Sequence, residues 1–273
     1  MAEASAALPR LNSLWVGREL KYLERLCLLS ARAVGHEFVL WSYDPHELRG
    51  VPPGFEVRDA AEVMPRERLL RYRDNGSVAL GANLWRIQLL AKGLGYWVDM
   101  DFIFVKPLDF TEPYVFGWEN DATVNNALLM APADSAFVRD LIAIPRPNVR
   151  PPWFGPKRSL AYYWRRLRER HIGLEDMPWG TYGPGLVTHC IKANRLEGYA
   201  QPRDVFYPVR YDDAKAIYGP ADRVEAMLTP QTRAIHMWHS QLQRLVDAPP
   251  PPGSYVDVMC KRLGVDVDAP TAA

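Results

Sequence analysis

The stretch Trp97-Val98-Asp99-Met100-Asp101-Phe102 decides how this chain is read, because two carboxylates sit at the end of a short apolar run. Just upstream, Leu80 to Lys92 places Leu84, Ile87, Leu90 and Ala91 at helical spacing, and Gly93 and Gly95 close the segment. Tyr96-Trp97-Val98 then reads as a buried strand, so the acids fall at a strand's carboxyl end. That is the edge at which open α/β sheets bind ligands.

Working outward from the acids, the N-terminal part repeats the same alternation. Leu11 to Val16 predicts a first strand ending at Gly17, Glu19-Leu20 through Leu28 and Ala31 a helix ended by Gly35, and His36 to Trp41 a second strand stopping at Ser42-Tyr43-Asp44-Pro45. Phe55-Glu56-Val57 adds a short strand after the Pro52-Pro53-Gly54 turn. Strand, helix and strand with such short connections predict an α/β fold, a parallel sheet covered by helices. Further on, strands are expected at Phe102 to Val105, Tyr114 to Trp118 and Asn126 to Met130, and helices at Ser135 to Ile142 and Ser159 to Arg170. The proline-rich Pro145 to Pro156 reads as a loop or flap. Residues 1–248 are expected as a single domain and 249–273, opening on Pro249 to Pro252, as a Pro-rich C-terminal tail.

Composition excludes several classes. With 48% hydrophobic and 24% charged residues the chain has enough apolar material for a packed core, so disorder is not expected over most of it. The 33 Lys and Arg against 32 Asp and Glu leave a net charge of +1, and no global field points to nucleic acid. Cys27, Cys190 and Cys260 are odd in number and far apart, which fits a reducing compartment rather than a disulfide framework. Met1 to Pro9 lacks the pattern of a signal peptide and no apolar run reaches membrane-span length, so a cytoplasmic location is expected, including the inner face of a membrane. Peripheral membrane contact stays open, since it needs only one amphipathic face. No Gly-X-Gly-X-X-Gly or Gly-Lys-Ser/Thr loop is present, and no Cys pair has zinc-site spacing.

The acids themselves permit definite chemistry. Asp99 and Asp101 are two apart, a spacing that puts both carboxylates on one face of a strand or lets a turn direct one to a cation and the other to a ligand hydroxyl. Paired acids also occur at ordinary turns, so the neighbours decide. Asn83 and Arg86 share a helix face just before them, where a guanidinium fork and an amide suit sugar hydroxyls or phosphate. Asn125 and Asn126 are read either as lining a sugar pocket or as turn caps. Trp15 and Tyr43 follow the first two strands and are candidates to pack on a nucleotide base, with core or rim packing as the competing reading. Gly183-Pro184-Gly185 ahead of Leu186 to Ile191 is read either as a loop presenting backbone N–H groups to phosphate or acceptor or as an ordinary helix start. His236 and His239 flank Met237-Trp238; either imidazole is a candidate third ligand beside the acids, or both are ordinary histidines around a core Trp. Nitrogen among the ligands suits Mn²⁺ better than Mg²⁺.

Through Leu14-Trp15-Val16-Gly17, Trp41, Asn83-Leu84-Trp85-Arg86 and Gly95-Tyr96-Trp97-Val98-Asp99-Met100-Asp101, the chain resembles the glycosyltransferases whose sugar-binding region contains an Asp-X-Asp motif. These are the capsular polysaccharide and α-1,4-galactosyltransferase-like enzymes; Asn125-Asn126 and Gly183-Pro184-Gly185-Leu186-Val187-Thr188 continue the likeness, which covers roughly residues 11–240. The resemblance implies a GT-A type fold, with a Rossmann-like, mostly parallel sheet, flanking helices and a smaller acceptor-side region. It implies retaining transfer of a sugar from a nucleotide-sugar donor, a UDP-sugar favoured, to a glycan, lipid-linked or other hydroxyl acceptor, with Mn²⁺ or Mg²⁺ as cofactor. On that basis Asp101 is the direct metal ligand, Asp99 touches ribose or sugar with an indirect metal role, Arg86 meets the donor sugar or its phosphate, and His236, with His239 as alternate, completes the shell. The family usually has Asp where this chain has Asn83.

In such a reaction the metal neutralises charge on the departing diphosphate, so no protein acid is needed. A two-step route would call on Glu119 or Asp121 as nucleophile. Two rival readings remain: a metal-dependent nucleotide-sugar hydrolase, and a non-catalytic sugar-nucleotide or glycan-binding protein, to which Asn83 lends interest. Arg165, Arg166 and Arg168 form a basic cluster that would meet an anionic acceptor or lipid headgroup.

Overall fold

A computed structural model of the protein describes residues 8–267 apart from residue 243. The chain opens as strand β1 (Leu11–Trp15), helix α1 (Tyr22–Ala33), strands β2 (Phe38–Ser42) and β3 (Glu56–Asp59), then helix α2 (Ala79–Ala91) and strand β4 (Tyr96–Val98). Strands β5 (Phe102–Phe104), β6 (Val115–Trp118) and β7 (Val124–Met130) lead to helices α3 (Ala136–Ala143), α4 (Pro156–Arg168) and α5 (Leu186–Ala193). Shorter pieces follow: β8 (Ala200–Gln201), α6 (Arg203–Phe206), α7 (Ala221–Glu225), β9 (Ala234–His236) and α8 (His239–Leu242), before the closing helix α9 (Tyr255–Leu263).

Seven strands form one sheet in the order β3-β2-β1-β4-β7-β6-β8. The pairs β3/β2, β2/β1, β1/β4 and β6/β8 are parallel, while β7 is antiparallel to both β4 and β6. Only β7 therefore runs against the rest, and the result is a mixed, broadly Rossmann-like α/β fold. This reversal matters for the site: it brings the start of β7 to the same sheet edge as the carboxyl ends of β4 and β6. Phe102 to Phe104, expected as a strand, does not join this sheet but pairs with β9 in a separate two-stranded sheet.

Side-chain alternation builds the layers. On β2, Phe38 and Leu40 enter one core while Val39 and Trp41 enter the other; on β4, Tyr96 and Val98 go one way and Trp97 the other. The first core receives Leu23, Leu26 and Cys27 of α1 and Val256, Met259 and Cys260 of α9. The second receives Trp85 and Leu89 of α2, Phe137 of α3 and Val187 of α5, with Trp85 set between Trp41 and Trp97 at centroid distances of 5.8 Å. Burial of α9 corrects the expected tail. Past the prolines, Ser254 caps the helix by accepting from the Asp257 N–H, and residues 255–263 belong to the folded body.

Helix limits shift where capping chemistry acts. α1 starts at Tyr22 rather than Glu19, because the Glu24 carboxylate accepts from the Lys21 N–H at 2.8 Å and closes the first turn there. α4 runs from Pro156, a residue preset for a first helical position, rather than from Ser159. The preceding proline-rich loop is pinned: Phe154 is buried and Arg150 donates to the Ser159 hydroxyl. Cys27, Cys190 and Cys260 are buried free thiols, and among the described residues no helix is long and apolar enough to cross a membrane.

Candidate metal centre and its cavity

Asp99 and Asp101 follow β4 at the sheet edge. Backbone bonds hold this turn: the Asp99 N–H donates to the Ala127 carbonyl at 2.7 Å, and the Asp101 carbonyl accepts from the Met237 N–H at 2.7 Å. The second bond continues the β5/β9 register, in which Phe102 faces His236. By this pairing a residue far along the chain arrives beside the acids. Ligating atoms of Asp99, Asp101 and His236 all lie within 4.8 Å of one another, a group able to hold a metal ion.

Each member is oriented from outside the cluster. Asp99 Oδ1 accepts from the Trp97 indole at 2.8 Å and lies 3.2 Å from Arg86 Nη1. Asp101 Oδ2 accepts the His239 backbone N–H at 2.9 Å, and Oδ1 lies 3.1 Å from His236 Nε2. His236 is wedged between Phe102 and Trp238, at ring distances of 4.7 and 4.1 Å. Trp238 takes a positive φ of 58°, an unusual conformation for a bulky residue, and its indole donates to the Val209 carbonyl at 2.9 Å. The turn so held aims the 237 and 239 N–H groups at Asp101.

Charge is unevenly distributed over the three groups. Burial raises the Asp99 carboxyl above the usual carboxylate range despite the opposing pull of Arg86. Burial would raise Asp101 as well, but His236 and the His239 N–H prevail and hold it down to about 2. Burial acts to lower His236, and Asp101 overrides it and raises that imidazole. Although Nε2 is close to Asp101, neither ring nitrogen of His236 makes a hydrogen bond among the described residues. A buried imidazole in that state is costly unless something else engages it. Two carboxylates and one such imidazole, all bordering a cavity, fit a divalent cation with mixed oxygen and nitrogen ligands.

The cavity measures about 660 Å³. Arg86 contributes to its wall, but its Nη1 also donates to the Asn126 carbonyl at 2.5 Å and its guanidinium lies 4.4 Å from the Trp97 ring centroid. Asn83 lines the wall too, its oxygen accepting from the Asn126 amide at 2.8 Å. A contact that uses the Asn83 oxygen as acceptor does not require a carboxylate there. Asn125 donates to Glu119 at 2.9 Å and accepts from the Ala127 N–H, and both residues line the cavity. Burial raises the Glu119 carboxyl, against the lowering effect of Asn125.

Other expected residues stand elsewhere. His239 gives the centre its N–H, while its Nδ1 lies 3.4 Å from the buried Glu24 carboxylate; the ring is not part of the three-residue cluster. Trp15 and Tyr43 are not in the cavity lining: the Trp15 indole donates to the Glu19 carbonyl and the Tyr43 hydroxyl to the Met64 carbonyl. Asp121 borders a separate surface cleft with Arg203 and Asp204. The Gly183 and Gly185 N–H groups, which one of the two readings directs to a ligand, both donate to the Gly180 carbonyl inside a tight turn. That turn serves the wall differently, for a Cβ at Gly183 would lie 2.8 Å from Asn83 Nδ2. The sequence pattern does not reveal Trp153, Trp179, His189 and Tyr211, which also line the cavity. Trp153 and Trp179 stand in loops, where a single aromatic residue carries no periodic signal, while His189 lies within α5 (Leu186–Ala193) and Tyr211 opens a short 3-10 helix (Tyr211–Tyr218). No protein-family model matches the chain, and no curated protein matches it.

Proposed function

We infer that the protein is a metal-dependent glycosyltransferase of GT-A type, moving a sugar from a nucleotide-sugar donor to a hydroxyl acceptor with retention at the anomeric carbon. The observation that carries this reading is the convergence of Asp99, Asp101 and His236 at the carboxyl edge of the sheet, on the floor of a cavity of about 660 Å³. The sequence resemblance around Arg86 and the Asp-X-Asp block supplies the reaction class and its stereochemistry.

Asp101 and His236 would hold Mn²⁺ or Mg²⁺, with Asp99 beside them. When bound, the cation neutralises charge developing on a diphosphate leaving group. Arg86 and the Trp97 indole keep Asp99 in place, so its outward oxygen stays available to a ligand hydroxyl. Asn83, Asn125 and Glu119 offer both donors and acceptors along one wall, which suits a polyhydroxylated ring. Trp153 and Trp179 add apolar ring faces to the lining that would exclude water from a bound sugar.

Titration calorimetry with UDP- and GDP-sugars, with and without Mn²⁺, tests the reading. Metal-dependent binding is expected for the wild type and a large loss for Asp101→Ala; equal binding by the two proteins would overturn the assignment. Donor turnover at full rate without any acceptor would assign the site to a hydrolase instead.

A further inference from the structure

Helix α4 turns its apolar side outward. Leu160, Tyr163, Trp164 and Leu167 recur at i, i+3, i+4 and i+7, the spacing of a single helix stripe, and they are 54 to 81% exposed. Of the whole helix only Tyr162 is buried. An amphipathic helix in a soluble body normally points such a stripe at the core, and a contiguous exposed patch of this kind marks a contact surface.

The flanks say which contact. Lys157 and Arg168 lie along one border of the stripe and Arg166 along the other, as 3.6 residues per turn places them, and α4 contains no acidic residue. Among the described residues Lys157, Arg168 and Arg170 form no ion pair, whereas Arg165 is taken up by Glu169 and Asp176. A Trp, a Tyr and two Leu bordered by cations with long aliphatic stems match the surface of an anionic bilayer, with rings and Leu at the acyl boundary and amines at the phosphates. A second copy of the same helix would oppose like charges, which disfavours self-association through this face. Arg158 of α4 lines the cavity from the helix face opposite the stripe, the face that also carries buried Tyr162, so the stripe points away from the cavity with α4 between them.

We propose that α4 docks the protein on anionic lipid bilayers, with the cavity on the protein side of the same helix. If the transferase reading holds, the acceptor is lipid-linked and enters from the bilayer; that assignment of the acceptor rests on the transferase reading. Docking itself needs neither metal nor nucleotide.

The test is flotation of the full chain with vesicles of phosphatidylcholine alone or with added phosphatidylglycerol, in the absence of metal and donor. Binding to the anionic vesicles is expected, falling as salt rises. The triple variant L160S/W164S/L167S should bind at least about tenfold more weakly to them, with an unchanged circular dichroism spectrum since these side chains point to solvent. Charge reversal by K157E/R168E should reduce binding to the anionic vesicles and leave the weak binding to neutral ones unaltered. Wild-type flotation no better than that of the triple variant would overturn the proposal. So would a concentration-dependent dimer in analytical ultracentrifugation that the triple variant abolishes, because the stripe would then belong to a second copy. Calorimetric metal binding is a separate measurement, so failure of one reading leaves the other standing.

Discussion

The metal centre and the outer face of α4 are unlike surfaces. At the metal centre each group is positioned by packed neighbours: Asp99 by Ala127, Trp97 and Arg86, Asp101 by the 237 and 239 N–H groups, and the His236 ring by Phe102 and Trp238. On the outer face of α4, aromatic and apolar residues bordered by cations stand in solvent. The difference teaches what each surface is suited to do. Holding a charged cluster requires burial that excludes competing water and fixes distances, and burial is tolerated only when each charge is answered. Engaging a large, soft surface requires exposed side chains, whose individual contributions to folding are small.

The contrast breaks most sharply at Arg86. Arg86→Met removes the cation beside Asp99 and strands the Asn126 carbonyl, so it should destabilise the fold by about 3 kcal/mol, measured by urea denaturation. That figure is the low end of the usual range, since the Asp99 side chain keeps 31% exposure.

The histidines sharpen the same surface. His236→Ala should weaken Mn²⁺ binding by about 10- to 100-fold, whereas His239→Ala should leave it within a few-fold, because Asp101 uses only the 239 backbone. Isothermal titration with the metal alone reads both, and an equal loss in the two variants would refute the division of roles.

A buried group remote from the cavity provides a comparison in pH. His36 Nε2 accepts from the Leu108 N–H at 2.9 Å, which leaves Nδ1–H to donate to the Pro9 carbonyl at 2.9 Å, and burial lowers the imidazole pKa below the ordinary 6.5. The unfolded chain therefore takes up this proton first. Its contribution to stability is complete above about pH 6.5 and is lost as pH falls through that value toward the lower folded pKa. Urea midpoints at pH 7.5 and 5.5 should differ less in His36→Gln than in the wild type.

The smallest effect is expected on the outer face of α4. Leu167 is 81% exposed, so Leu167→Ser should change folding stability by less than about 0.5 kcal/mol in the same assay. A larger loss would show that the stripe helps to hold the fold.

Much of this architecture is legible in the amino-acid pattern. The strand, helix and strand alternation of residues 11–41 and the helix ahead of Asp99 follow from periodicity, because a strand repeats every two residues and a helix every 3.6. The stripe of α4 is equally visible in Trp164 and Leu167, but a period does not say which way it faces. Trp15 and Tyr43 show what position after a strand leaves open between ligand and rim: hydrogen bonds to the Glu19 and Met64 carbonyls engage them outside the cavity lining.

By itself the sequence determined the local spacings: two carboxylates two residues apart at a strand end, an Arg and an amide on the helix before them, and a basic helix with an apolar stripe. Only the tertiary structure decided that β7 runs backwards to bring Asn125 and Asn126 to that edge, that β5 leaves the main sheet to pair with β9, and that His236 rather than His239 turns its ring to the acids. The physical reason is that spacing is set by bond geometry within a few residues. Long-range pairing is set by which apolar faces must be covered, and only the folded chain resolves that competition.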